Sequence, residues 1–304
     1  MEPPILPPTR PQSIRDLEWI LNSPSLIAPS IPTGLNTSSI NSTDLDPLQE
    51  KLDDFLHCES PRRNQYRVGR YFERLVLFYL QQIRQVEVLA NALQIQEEGR
   101  TIGELDFVFR DESGRLQHWE VAVKFYLHFP GEHISGSHLI GPDPRDNFET
   151  KIKRLFEHQL PLSKKVFPDI AERHAFVKGR VFYHPAFPPP DTLPAELSPT
   201  HLRGAWLYHQ ELDWFSRFTN SSSPILAKVI QKPFWLSPDV VSDTKVGLSA
   251  ERLFPIDQMQ ELLKQHFRES STPRLVSLLT RQSHEWRELE RVFVVSESWP
   301  HEPA

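Results

Sequence analysis

The sequence predicts an α/β fold built on a mixed sheet. Three observations lead there. A wide apolar stripe at helical spacing runs through NQYRVGRYFERLVLFYLQQI, from Asn64. Alternating apolar and polar residues on either side of the polar stretch DESGR mark a hairpin over residues 102–125. A second helical pattern then leads into two further strand-like runs, and a helix between strands is how a sheet acquires a crossover connection.

The elements follow in order. Residues 1–12 are proline-rich and expected to be irregular. SIRDLEWILNSPSL reads as a short helix, with Ile14, Leu17, Ile20 and Leu21 on one face and Ser13 as N-cap. Residues 28–45, rich in Ser, Thr, Pro and Asn, read as loop. DPLQEKLDDFLHC gives a second helix striped by Leu48, Leu52, Phe55 and Leu56. In the helix from Asn64 the stripe is Tyr71, Phe72, Leu75, Val76, Phe78 and Tyr79. VEVLANALQIQ fits a strand, with a helix left open, and the hairpin follows. DNFETKIKRLFEHQLPLSKKVF is a helix capped by Asp146 or Asn147, with Ile152, Leu155, Phe156 and Gln159 on one side. AFVKGRVFYH and GAWLYH are strands joined by a rigid loop through the prolines of 185–194. After residue 216 the pattern weakens: a helix at 255–267, another at 272–280 and a strand at ERVFVV are expected. The organisation predicted is a helical arm (1–63), an α/β core (64–215) and an extension packed on it (216–304).

Composition narrows the function classes. At 38% hydrophobic, 304 residues can bury a core without disulfides or a structural metal, and the single cysteine, Cys58, cannot form an internal bridge. No apolar run approaches the ~18 residues of a membrane span, and the start lacks a signal-peptide layout, so a soluble cytoplasmic protein is expected. The net charge of −6 gives no general attraction to phosphate backbones, so contact with nucleic acid would require a local basic patch. No P-loop or dinucleotide fingerprint occurs.

The hairpin GELDFVFRDESGRLQHWEVAVKFY carries the chemistry. Strand parity puts Leu105, Phe107 and Phe109 on one face of the first strand and Glu104, Asp106, Val108 and Arg110 on the other. On the second strand Trp119, Val121, Val123 and Phe125 oppose His118, Glu120, Ala122 and Lys124. Burying the apolar faces together gathers the polar sets together. With Gly114 in the turn, Arg110 pairs with Leu116, which sets Asp106 opposite Glu120 and Glu104 opposite Ala122. Facing carboxylates destabilise a sheet unless neutralised, and a hard cation such as Mg²⁺ or Mn²⁺ does so naturally. Lys124, on the same face, could offset developing negative charge or orient a water. The pattern suits metal-assisted phosphodiester hydrolysis.

These residues resemble the PD-(D/E)XK nuclease superfamily, whose core runs helix, three-stranded meander, helix, strand. GELDFVF is similar to the GEIDLI form of bacterial members. The resemblance implies that Asp106 is the superfamily aspartate, Glu120 its acidic residue and Lys124 its lysine, with Glu73 of GRYFERL as the helical glutamate that completes the metal site. The chain departs from the pattern in two ways. Glu-x-Ala-x-Lys replaces Glu-x-Lys, lengthening the separation by ~6.6–6.8 Å along a strand, and Leu105 stands at the superfamily proline. More closely, GELDF, HWEVAVKFYL and GPDPRDNFETKIKRLFEHQLPLS are similar to a bacterial family labelled domain of unknown function 1853, which carries no assigned activity.

Other readings remain beside this one. The charged face could be a solvated cluster of salt bridges, or a degenerate nuclease fold used as a nucleic-acid- or protein-binding module. Glu104 reads as a further ligand or a rim charge, and His118 as a minor substrate contact. Lys151, Lys153, Arg154, Lys164 and Lys165, with Arg62, Arg63, Arg67 and Arg70, are candidates for the basic patch that would meet DNA or RNA, with Lys151 and Arg154 foremost. His128, His133 and His138 match no zinc-ligand spacing, and Ser135 and Ser137 lack the strand–turn–helix context of a serine nucleophile.

Overall fold

The computed structural model describes residues 10–29, 44–58, 67–130, 138–187, 192–219, 221, 223–243, 246 and 252–301. Arg62, Arg63, His133, Ser135, Ser137 and the prolines at 188–190 lie outside them. The helices are α1 (Gln12–Asn22), α2 (Gln49–Cys58), α3 (Val68–Phe78), α4 (Phe148–Arg154), α5 (Leu160–Leu162) and α6 (Ile256–Glu269). The strands are β1 (Glu87–Glu97), β2 (Arg100–Arg110), β3 (Leu116–His128), β4 (Leu139–Ile140), β5 (Glu172–Tyr183), β6 (Leu202–Tyr208), β7 (Ile225–Val229), β8 (Val240–Ser242), β9 (Phe254–Pro255), β10 (Arg274–Gln282) and β11 (Glu285–Val295).

All of these strands join one mixed sheet in the order β1-β2-β3-β5-β6-β11-β10-β7-β9, with β4 beside β3 and β8 beside β11. The pairs β3–β5, β5–β6 and β6–β11 are parallel, and the flanking pairs are antiparallel. Because β6 pairs with β11, residues beyond 216 extend the same sheet that begins with the hairpin.

Parallel central strands need cover on both faces. Trp119, Val121, Val123 and Phe125 of β3 pack with Ile14, Leu17, Phe72, Leu75 and Val76 of α1 and α3. The other face is covered by α4 and the turn that continues it, whose Phe148, Ile152 and Leu155 pack with Tyr126 of β3 and with Ala175, Val177 and Val181 of β5. Farther along the sheet, Ile256, Met259 and Leu263 of α6 cover Val276, Leu278, Val292 and Val294. Trp119 anchors the first layer, stacked on Phe176 with ring centroids 5.7 Å apart and edge-on to Phe109 at 5.2 Å.

Buried polar ties hold the ends of the chain to this core. Asp16 of α1 accepts hydrogen bonds from the Ser237 amide (2.9 Å) and hydroxyl (2.7 Å) and from the Tyr71 hydroxyl (2.9 Å). The fully buried Arg291 guanidinium donates to the carbonyls of Trp235 and Ser237, each at 2.6 Å, and pairs with Glu288 at 2.7 Å.

Several sequence expectations are corrected. Ser13 does not cap α1: it lies within the helix, where its hydroxyl donates to Asp53 at 2.7 Å, and the N-cap is Pro11. The helix expected from Asn64 begins at Val68 and runs into a π-helical turn, Tyr79–Ile83. Residues 274–282 form β10 rather than a helix. Leu275, Val276, Leu278 and Leu279 are all buried, and a strand covered on both faces shows a continuous apolar run that mimics helical spacing. Of the two cap candidates for α4, Asn147 is the cap, accepting the Thr150 amide at 2.9 Å. No described helix is long and apolar enough to cross a membrane.

Candidate functional site

The predicted hairpin register is observed: Arg110 pairs with Leu116, then Phe109 with Gln117, Val108 with His118 and Phe107 with Trp119. The turn is fixed by Gly114 at φ +81° and by Asp111, whose side chain accepts the Ser113 and Arg115 amides, each at 2.9 Å. Beyond Phe107 and Trp119 the ladder stops. Asp106 and Glu120, and Glu104 and Ala122, are therefore not ladder pairs as extrapolation would have them. On its other edge β3 stays paired with β5, from Gln117 through Leu127. Side-chain alternation on β2 also breaks here. Leu105 leaves the face of Phe107 and Phe109 to pack with Val108, Ile95 and Ile170, although residues three apart point oppositely in a regular strand.

The carboxylates lie where the strands part. Asp106 Oδ2 accepts the backbone N–H of Val121 at 2.8 Å, so an aspartate side chain replaces the next β2–β3 ladder bond. Glu120 is buried, with its Oε1 taking His118 Nε2 at 3.0 Å and its Oε2 taking Gln159 Nε2 at 2.6 Å. Burial and then the charge of Glu120 push the Asp106 carboxyl up to about 8. Burial also raises Glu120 to about 7, with Glu104 adding to the rise and Lys151 opposing it. Two such groups titrate as a pair: near neutral pH the pair holds on to a proton that isolated carboxyls would have lost.

The other predicted residues divide. Glu73, on the α3 turn that also buries Phe72, Leu75 and Val76, is raised by burial although Arg70 sits 2.8 Å away, and its charge acts on Asp106. Glu104 is half-buried on β2, and its charge acts on Glu120, Glu73 and Arg70. His118 is fully buried, and burial lowers it to about 4, so it is neutral at physiological pH. Lys151 reaches in from α4, while Arg154 is exposed one turn on, close enough that its charge acts on Glu120. Lys124 does not turn to the acids. Its ammonium pairs with Asp146 at 2.5 Å. Of the remaining basic candidates, Lys165 is paired with Glu97.

Two participants escaped sequence reasoning. Gln159 bridges Lys151 and Glu120, and its signal was a polar amide set within an apolar helical stripe. Asp146 draws Lys124 away, and a partner 22 residues off in a loop leaves no periodic trace. Among the described residues, no three His, Cys, Asp or Glu side chains form a ready-made metal cage. The donor set nonetheless has the right chemistry for a hard divalent cation. Asp106 and Glu120 supply carboxylate oxygens whose mutual repulsion a cation would relieve, and Mg²⁺ commonly takes only one or two carboxylates, completing its shell with water and phosphate oxygens.

Residues 15–295 match the family described as Domain of unknown function (DUF1853). The chain belongs to that family. The match to the DUF1853 family spans α3, the hairpin, α4 and the strands through β11, and so includes every residue of the acid site. No curated protein matches the chain.

Proposed function

We propose that this protein is a PD-(D/E)XK-like, divalent-metal-dependent hydrolase of phosphodiester bonds in DNA or RNA, working at the Asp106–Glu120 pair. One observation carries the reading: two carboxyl groups on neighbouring strands, both pushed upward by burial, and Asp106 further by the charge of Glu120, stand where the hairpin ladder ends. A sheet with no use for them would place apolar residues there, since an unneutralised buried acid is costly.

Asp106 and Glu120 would hold Mg²⁺ or Mn²⁺, with Glu73 and Glu104 adding negative potential nearby. When bound, the metal supplies Lewis acidity toward a phosphoryl oxygen and favours ionised water. The chain's own contributions are distinct. The Val121 amide fixes one Asp106 oxygen and leaves the other for a ligand. His118, buried and neutral, orients Glu120 through Oε1. Arg154 and Lys153 are exposed on α4 and make no ion pair among the described residues, so they are suited to backbone phosphates.

The test is cleavage of end-labelled DNA and RNA oligonucleotides with Mg²⁺ or Mn²⁺. Wild type is expected to cut, and Asp106→Ala to lose at least ~100-fold in rate while retaining its circular dichroism. Metal-independent cleavage, or cleavage unaffected by Asp106→Ala, would sink the reading. A second reading, a catalytically silent binding module, is favoured by one feature: both oxygens of Glu120 already accept hydrogen bonds, from His118 and Gln159. Under it the oligonucleotides bind but stay intact.

A further inference from the structure

The hydrolytic reading needs a cation beside the acid pair, and sequence spacing offers Lys124. The geometry points to another residue: Lys151 of α4 is the catalytic lysine of this site, and Lys124 is a structural anchor. This inference rests on the hydrolytic reading and names the side chain that would face the reacting phosphate.

Lys124 is committed elsewhere. Its ammonium lies 2.5 Å from Asp146 Oδ2. Asp146 directly precedes the N-cap of α4, and its carbonyl accepts the Gly141 amide at 2.6 Å. Lys124 therefore fastens β3 to the loop that launches α4.

Lys151 is tied to the acids. Its Nζ donates to Gln159 Oε1 at 3.0 Å, and the same amide donates through Nε2 to Glu120 Oε2 at 2.6 Å. The bridging group is neutral, and Lys151 makes no ion pair among the described residues. Its positive charge is therefore held beside the carboxylates without being cancelled by a dedicated partner.

The helix is built for that alignment. Residues 151 and 159 are eight apart, which in a regular α-helix of 3.6 residues per turn leaves them ~80° out of line. Between them α4 passes into a π-helical turn, Leu155–Gln159. A π turn accommodates about one extra residue, removing ~100° of rotation, so the two side chains fall within ~20° of each other. Without it Gln159 could not serve both Lys151 and Glu120. The electrostatics agree: Lys151 is the leading positive charge favouring ionised Asp106 and Glu120, and Lys124 acts on Lys151 as a neighbouring like charge.

In the hydrolysis, an oxygen–phosphorus bond forms from water and one ester P–O bond breaks. The water gives up a proton and the leaving oxygen gains one. Lys151 stays an ammonium throughout and offsets the charge that builds on the phosphoryl oxygens.

The test compares full-length Lys151→Met and Lys124→Met on the labelled oligonucleotides with Mn²⁺, and by calorimetric titration with Mn²⁺ alone. Lys151→Met is expected to lower kcat ~100-fold or more with KM changed little. It should also bind Mn²⁺ about fivefold more tightly, because a nearby like charge is gone. Lys124→Met should stay within about fivefold of wild-type kcat and keep the wild-type Mn²⁺ affinity. Should Lys151→Met fail to fold, Lys151→Arg serves instead, keeping the charge and the Mn²⁺ affinity but losing ~10-fold or more in kcat. Loss of cleavage on Lys124→Met with near-normal rates for Lys151→Met overturns the assignment while leaving the metal-hydrolase reading intact. A wild type that neither binds Mn²⁺ nor cleaves overturns both.

Discussion

Replacing Asp106 by Asn should stabilise the metal-free protein, and increasingly so as the pH rises. The side chain keeps its shape, and its amide oxygen can still accept the Val121 N–H. What disappears is a carboxyl raised from about 3.8 to about 8 by burial and by the charge of Glu120. An acid whose pKa is higher folded than unfolded favours the fold below its unfolded pKa, and that advantage is lost as the pH climbs toward the folded value. The window thus runs from about pH 4 to about pH 8. At ~1.4 kcal/mol per pKa unit, the penalty at pH 7 is at most ~4 kcal/mol. Sharing of the proton with Glu120 and partial access to solvent reduce this to the order of 2 kcal/mol. Urea unfolding of both proteins from pH 5 to pH 8, without divalent metal, measures it. The advantage of Asp106→Asn should widen by about 2 kcal/mol across that range. Comparing the two proteins cancels most of the opposing contribution of His118, which is lowered to about 4 and so adds stability as the pH rises from about 4 to 6.5. Parallel stability profiles would show that Asp106 and Glu120 do not repel each other in a buried site, and the reasoning would fail.

Two further substitutions probe the frame that holds the site. Arg291→Met leaves Glu288 buried without its cation and three carbonyls without a donor, so a loss of ~3–5 kcal/mol in chemical denaturation is expected; a loss below 1 kcal/mol would mean the network rearranges freely. Gly179 sits opposite Lys124 in the β3–β5 ladder, at φ +154°, and a Cβ there would lie 1.9 Å from the Lys124 carbonyl oxygen. Gly179→Ala should therefore cost ~3 kcal/mol or more and lower the thermal midpoint, whereas an unchanged midpoint would show that the strands can part at this point.

How far the sequence could be read follows from the range of the forces involved. Helices α1, α3 and α6 and the hairpin were legible because short-range periodicity and turn chemistry specify them, and Gly114 with Asp111 set the register to the residue. The end of the ladder was not legible. It falls where β2 leaves β3 and the Asp106 side chain takes the amide of Val121, 15 residues along, which no local pattern announces. The same limit hid the pairing of Lys124 with Asp146, so alternation placed Lys124 on the correct face but with the wrong neighbours. The π turn that brings Gln159 under Lys151 lies in a stretch whose sequence reads as an unbroken helix. Residues 274–282 misled for another reason: burial on both faces erases the alternation that distinguishes a strand.

The decisive measurement is a calorimetric titration of the purified protein with Mn²⁺, run in parallel on Asp106→Asn. If Asp106 and Glu120 form a hard-cation site, wild type shows one saturable binding event that releases protons near neutral pH and is lost in the variant. Absence of binding, or equal binding by both proteins, would contradict a metal site at this pair.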